Sequence, residues 1–157
     1  MEERKYYITK KKLEELQREY KELVTFEHRK THNETPKIFE SEDLNPEYIS
    51  FQEDLSFLRA RIEELENIFK NYELIKIPLR TDQNIISLGA TVKVGVDGEK
   101  DEFVIVGTLE ANPSLGKISN ESPVGQALLG HKVGDEVVIS SPIKTIYRIK
   151  KIRYYSS

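Results

Sequence analysis

Cysteine is absent from all 157 residues. That removes a disulfide framework, a thiol nucleophile and a thiolate zinc site from consideration, although it does not by itself define the redox compartment. Long apolar runs are missing too. Stretches such as Phe103 to Val106 fall far short of the ~20 residues needed to span a bilayer, and the first residues lack the apolar core of a secretory signal. A cytoplasmic protein without membrane contact is expected. No glycine-rich phosphate loop and no nucleophile triad can be picked out.

What is abundant is charge. Charged residues make up 32% of the chain and hydrophobic ones 38%, a composition suited to an exposed helical element beside a small core. The formal net charge of −3 argues against simple nucleic-acid binding, and no independent sequence-specific DNA binding is expected. The excess is local: residues 1–80 carry 15 Lys/Arg and 18 Asp/Glu, whereas residues 81–157 carry 9 of each. Within 34–54, seven acids (Glu34, Glu40, Glu42, Asp43, Glu47, Glu53, Asp54) face one base, Lys37, for a local charge of −6.

Two periodicities divide the chain. Thr9 is an N-cap candidate, and Leu13, Leu16, Tyr20 and Leu23 follow at spacings of 3, 4 and 3. A second helix is predicted from Asn45-Pro46, with Phe51, Leu55, Leu58, Ile62, Leu65, Phe69 and Tyr72 alternating by 4 and 3. Pro36 interrupts the helical pattern between them, so the stripes are expected to bury one another in an antiparallel coiled-coil hairpin, a rod of roughly 40 Å. From about Ser87 the period becomes two. Strands are predicted over Thr91–Val96, Glu102–Leu109, Glu136–Ser140 and Thr145–Tyr155, with Asp97-Gly98 as a turn. Ser122-Pro123 opens a short helix that Gly130 closes. The expected class is α+β: a hairpin over residues 1–76 with an acidic tip, a linker over 77–85, and a β domain over 86–157.

The run from Ser122 to Ile139, SPVGQALLGHKVGDEVVI, resembles the C-terminal signature of the Gre family of bacterial transcription elongation factors. Ile8-Thr9 with Leu13-Glu14-Glu15-Leu16, the Glu47-Tyr48 pair, and Phe57 to Leu65 are similar to the family in the same order, so the resemblance spans almost the whole chain. It implies a coiled coil that enters the secondary channel of RNA polymerase and an FKBP-like antiparallel β domain, with one short helix, that docks on the channel rim. It also implies stimulation of RNA cleavage in backtracked complexes, at the nascent RNA 3′ end, by a factor that is not itself an independent nuclease.

At the hairpin tip the family carries Asp-Leu, two residues of which the second is Glu, then Asn-Ala-Glu-Tyr. Aligned without a gap backward from Glu47-Tyr48, the two acidic positions hold Ser41 and Leu44. Aligned on Asp43-Leu44, with two residues missing before Asn45, the Asp is kept and the Glu is not. Glu40 and Asp43 retain the three-residue spacing in reversed order, with Glu42 between them. The resemblance therefore implies Asp43, Glu42 and Glu40 as the acids that assist the polymerase, with Asp43 and Glu42 as ligands to a Mg2+ ion shared with it. The chain needs no cofactor of its own on this reading. A non-cleaving regulator or inhibitor that occupies the same channel is the alternative. Prolyl isomerase activity would rest on fold alone, and no active-site aromatic cluster supports it.

The remaining candidates have plainer readings. Lys10, Lys11 and Lys12 near a helix N-terminus suit a solvated basic face better than an RNA contact. His28 and His32 have the i,i+4 spacing of a helical metal pair but lack the Glu of a His-Glu-x-x-His motif. His131 shows no partner in sequence. Tyr147, Tyr154 and Tyr155 suit packing of a small core or sheet edge more than base stacking.

Overall fold

In the computed structural model, which describes residues 4–33, 46–140 and 143–155, the heptad-patterned half forms two helices, α1 (Lys10–Asn33) and α2 (Pro46–Lys70). Their apolar stripes face inward. Leu13 and Leu16 of α1 and Leu58, Ile62, Leu65 and Ile68 of α2 are buried, while Phe57, off the stripe, is 77% exposed. Polar pairs fix the direction: Glu19 meets Arg61, Glu27 meets Arg59 and Lys30 meets Asp54, so numbers rise along one helix as they fall along the other. The pair is antiparallel, as the periodicity requires. At 1.5 Å per residue, 24 and 25 residues give helices of about 36–38 Å.

One part of the expected seam differs. The 4–3 alternation continues to Phe69 and Tyr72, but α2 ends at Lys70 and Ile68 takes the buried position of the last turn. Ile68 stands three residues on from Leu65, where helical neighbours share a face, so the buried surface of α2 continues through it. Phe69 is half-buried and meets Tyr20 edge-on, with ring centroids 5.5 Å apart, and Tyr72 leaves the helix altogether.

Tyr72 belongs to a strand that the sequence reading does not contain. β1 (Tyr6–Ile8) and β2 (Tyr72–Leu74) form a parallel pair in the register Tyr6↔Tyr72, Tyr7↔Glu73 and Ile8↔Leu74. At three residues each, neither is long enough to display an alternating pattern. The chain consequently resolves into a helical unit, Leu13–Asn71, and a β-rich unit formed by Met1–Lys12 with Tyr72–Ser157. The hairpin and linker boundaries read from periodicity, 1–76 and 77–85, therefore differ from the units formed. Residues 77–85 are also structured: Arg80–Asp82 is a 3-10 turn, Gln83 Nε2 donates to the Pro78 carbonyl at 3.0 Å, and Ile85 bridges to Lys132.

The second sheet has five strands: β3 (Ala90–Val96), β4 (Glu99–Val106), β5 (Lys117–Ser119), β6 (Glu136–Ile139) and β7 (Thr145–Tyr154), in the order β5-β4-β3-β7-β6. Three pairings are antiparallel, but β4 and β5 run parallel, so the sheet is mixed and not purely antiparallel. Asp97 and Gly98 both have positive φ, 50° and 81°, the two-residue turn that matches the twist of an antiparallel hairpin. One sheet face, with α3 (Pro123–Leu128), covers a core of Ile86, Ala90, Val92, Val94, Ile105, Ile118, Leu128, Val137, Ile139 and Ile149.

β4 starts earlier than its apolar run suggests because it pairs with β3 directly from the Asp97-Gly98 turn, and stops earlier because Gly107 and the 3-10 turn Thr108–Glu110 end it. Gly107 sits against β1: a Cβ there would lie 1.9 Å from the Tyr7 carbonyl oxygen. Gly107→Ala should therefore cost about 1–3 kcal/mol, as overpacking of a filled site does, read as a lower melting temperature. An unchanged melting temperature would mean that β1 shifts freely.

Candidate functional site

Three groups of residues bear on function. The first is the C-terminal signature. Ser122 caps α3, its Oγ accepting the Gly125 N–H at 3.0 Å and donating to the Ser119 carbonyl at 2.7 Å. Gly125 is required there, since a Cβ would lie 2.0 Å from the Ser119 oxygen. After the helix, Gly134 turns the chain with φ 94°, and the Asp135 carboxylate accepts the Lys132 N–H at 2.9 Å. That backbone N–H, reinforced by His131 3.2 Å away, holds the Asp135 carboxyl below its ordinary range. His131 thus has a partner that sequence did not show. The signature's Ser-Pro, Gly and Asp positions are explained by local backbone geometry.

The second group lies at the start of α1. The Thr9 hydroxyl accepts the Lys12 N–H at 3.1 Å, the N-cap expected from sequence, and donates to Glu110 Oε1 at 2.7 Å. The Thr9 N–H donates to the other carboxylate oxygen of Glu110 at 3.0 Å. An anion thus sits at the positive end of the helix, where it is favoured. Nothing in the run around Glu110 signals this role, because its partner is 101 residues away. Thr9→Val should cost about 1 kcal/mol by removing the cap, measured as a shift of the thermal transition; no shift would assign the capping to Glu110 alone. Lys10 and Lys11 are exposed.

The third is the end of the hairpin that flanks the acidic segment. Glu40, Glu42 and Asp43 lie outside the described residues, as do Asn45 and Pro36. The residues on either side are placed. Lys30, with a side chain only 13% exposed, lies 3.6 Å from Asp54 and between the rings of Phe26 and Phe51, at 5.8 and 5.2 Å from their centroids. Lys30, Pro46, Glu47, Ser50, Phe51 and Asp54 line a shallow depression there. Farther along, Arg61 forks onto both oxygens of Glu19, at 2.7 and 3.0 Å, and reaches Glu64 at 3.0 Å. Exposed pairs of this sort contribute about 0–1 kcal/mol each, so they set register more than stability. They bring Asn33 and Pro46 to the same end of the helix pair.

Among the described residues no group of three or more His, Asp or Glu side chains is arranged to hold a metal ion. Tyr147 packs edge-on against Phe103, and the Tyr154 hydroxyl accepts the Ser87 N–H while donating to the Ile85 carbonyl. Both tyrosines are structural, and Tyr155 is exposed. No helix among the described residues is long and apolar enough to cross a membrane.

The chain is similar to known proteins over almost its whole length. The family model described as "Transcription elongation factor, N-terminal" matches residues 6–74, and that described as "Transcription elongation factor, GreA/GreB, C-term" matches residues 81–154. Transcription elongation factor GreA of Halalkalibacterium halodurans is 46% identical over 90% of this chain and 91% of its own length. GreA of Thermomicrobium roseum is 40% identical over 88% of this chain and 90% of its own. The crystal structure of GreA factor homolog 1 of Thermus thermophilus is 25% identical, with a TM-score of 0.42 and coverage of 96% of this chain and 99% of that one. With both family models matched in order and this level of identity across nearly its full length, the chain belongs to the GreA/GreB family of transcription elongation factors.

Proposed function

We propose that this elongation factor binds bacterial RNA polymerase in the cytoplasm, docking through its β-rich unit and inserting residues 8–74 into the secondary channel. There it stimulates the polymerase's own cleavage of backtracked RNA at the nascent 3′ end. The observation that supports this most is the match to both family models, with an antiparallel helix pair in the first and a charge of −6 over residues 34–54. Asp43, with Glu42 or Glu40, supplies the carboxylates. Such hard oxygen donors suit magnesium, which binds one or two carboxylates while keeping several waters. When bound, that ion positions and activates water for phosphodiester cleavage. The chain's own task is to deliver negative charge to a site that the polymerase builds, so it is not a nuclease alone.

A second reading, a channel regulator that does not cleave, is favoured by Ser41 and Leu44 at the gapless family positions. Both readings require the polymerase. Competition binding of the full chain against a labelled cleavage factor on core polymerase tests that requirement: displacement is expected, and no displacement at saturating chain would overturn the proposal. Incubated with RNA and magnesium but no polymerase, the chain should leave the RNA intact.

A further inference from the structure

His28 and His32 stand one turn apart on α1, both exposed, with ring centroids 4.0 Å apart and planes 30° from parallel. His32 Nδ1 lies 2.8 Å from the His28 carbonyl oxygen. A carbonyl can only accept, so Nδ1 carries a proton, which in the neutral ring leaves the lone pair on Nε2. The Thr31 hydroxyl, 3.0 Å from the same Nδ1, fits this assignment. Its oxygen lies 2.9 Å from the Glu27 carbonyl and 3.1 Å from the His28 carbonyl; with its hydrogen on either, the oxygen can accept from the ring. Among the described residues neither nitrogen of the His28 ring has a hydrogen-bond partner. A backbone carbonyl that takes the Nδ1 proton and aims Nε2 outward is the arrangement that metal-ligating histidines use.

We propose that His28 and His32 form a two-histidine site for a borderline divalent transition ion of the Zn2+ or Ni2+ class. Metal–nitrogen bonds of about 2.0–2.1 Å at a tetrahedral angle put two ligating nitrogens roughly 3.3 Å apart; the stacked rings, with centroids 4.0 Å apart, come to that separation when their side chains turn so that the two ring planes converge on the ion. Imidazole pairs select such ions, whereas Mg2+ takes oxygen donors, so this site is chemically distinct from the carboxylates of the acidic segment. Water completes the coordination. A bound ion would staple the last turns of α1 that lead into residues 34–45.

The test is titration of the full chain with ZnCl2 and, separately, with MgCl2, followed by the ring nitrogen resonances of its three histidines and by calorimetry. Zn2+ should bind and shift the His28 and His32 rings together while sparing His131, and Mg2+ should leave all three unmoved. Loss of a mere outer partner of a ligand weakens metal binding by about 10–100-fold, so His28→Ala and His32→Ala should each weaken this binding by at least about tenfold. His131→Ala should leave it unchanged. Zn2+ binding of equal strength in His28→Ala or His32→Ala, or Zn2+ that leaves both rings unshifted, would overturn the proposal. Both positions are exposed, and helical circular dichroism of each variant verifies that α1 is intact.

Discussion

Replacing Asp43 with Ala should return RNA fragment release from backtracked elongation complexes to the rate of the polymerase alone, with binding to the polymerase unchanged. The asymmetry follows from where the residue lies. Asp43 falls between α1 and α2 in sequence, in the strongly acidic segment, and is not part of the apolar repeats that build the two stripes. A charged side chain outside those repeats is not expected to contribute apolar burial. On the proposed function its removal takes away one negative charge from the magnesium site, and loss of a single charge-stabilising group costs about 10²–10³ in rate. Glu42→Ala and Glu40→Ala, measured beside it, identify the second acid: the one whose loss falls nearest to Asp43→Ala is the partner. Undiminished stimulation in Asp43→Ala would remove Asp43 from the mechanism and favour the alignment that places Ser41 and Leu44 at the two acidic positions.

The second large effect is on stability. Leu65 is fully buried between Ile62 and Ile68 on the inner stripe of α2, and truncating a buried leucine to alanine removes its transfer energy and leaves a cavity. Leu65→Ala should cost the helical unit about 2–5 kcal/mol. Phe57→Ala, at an outward position that is 77% exposed, should stay within about 0.5 kcal/mol of the parent. Thermal unfolding followed by helical circular dichroism reads both. Equal losses for the two variants would show that the 4–3 stripe is not the buried face.

The helix pair was legible because its signal is dense and local. Leu13, Leu16, Leu58, Ile62 and Leu65 repeat every three or four residues, and burial of one stripe on another is the single way to remove them all from water. The Asp97-Gly98 turn and the Ser122-Pro123 cap were legible for the same reason, since each is a backbone requirement expressed in adjacent residues. Contacts between distant residues were not legible. β1 reaches its partner β2 across more than sixty positions, and Glu110 finds Thr9 across 101. A three-residue strand carries no period, and a lone glutamate no direction. β5 was missed likewise: Lys117–Ser119 is a strand only because β4 offers it a parallel edge. Of the site, sequence supplied the acidic residues, and the structure supplied the helix ends on either side, including the Lys30–Asp54 pair seated between Phe26 and Phe51.

The most direct measurement adds the purified chain to stalled, backtracked elongation complexes with magnesium and follows release of short 3′ RNA fragments against time. Faster release than from the polymerase alone is expected, with resumed elongation once nucleotides are supplied. Confirmed binding to the polymerase with release no faster than its intrinsic rate would contradict a cleavage role and leave the chain as an occupant of the channel.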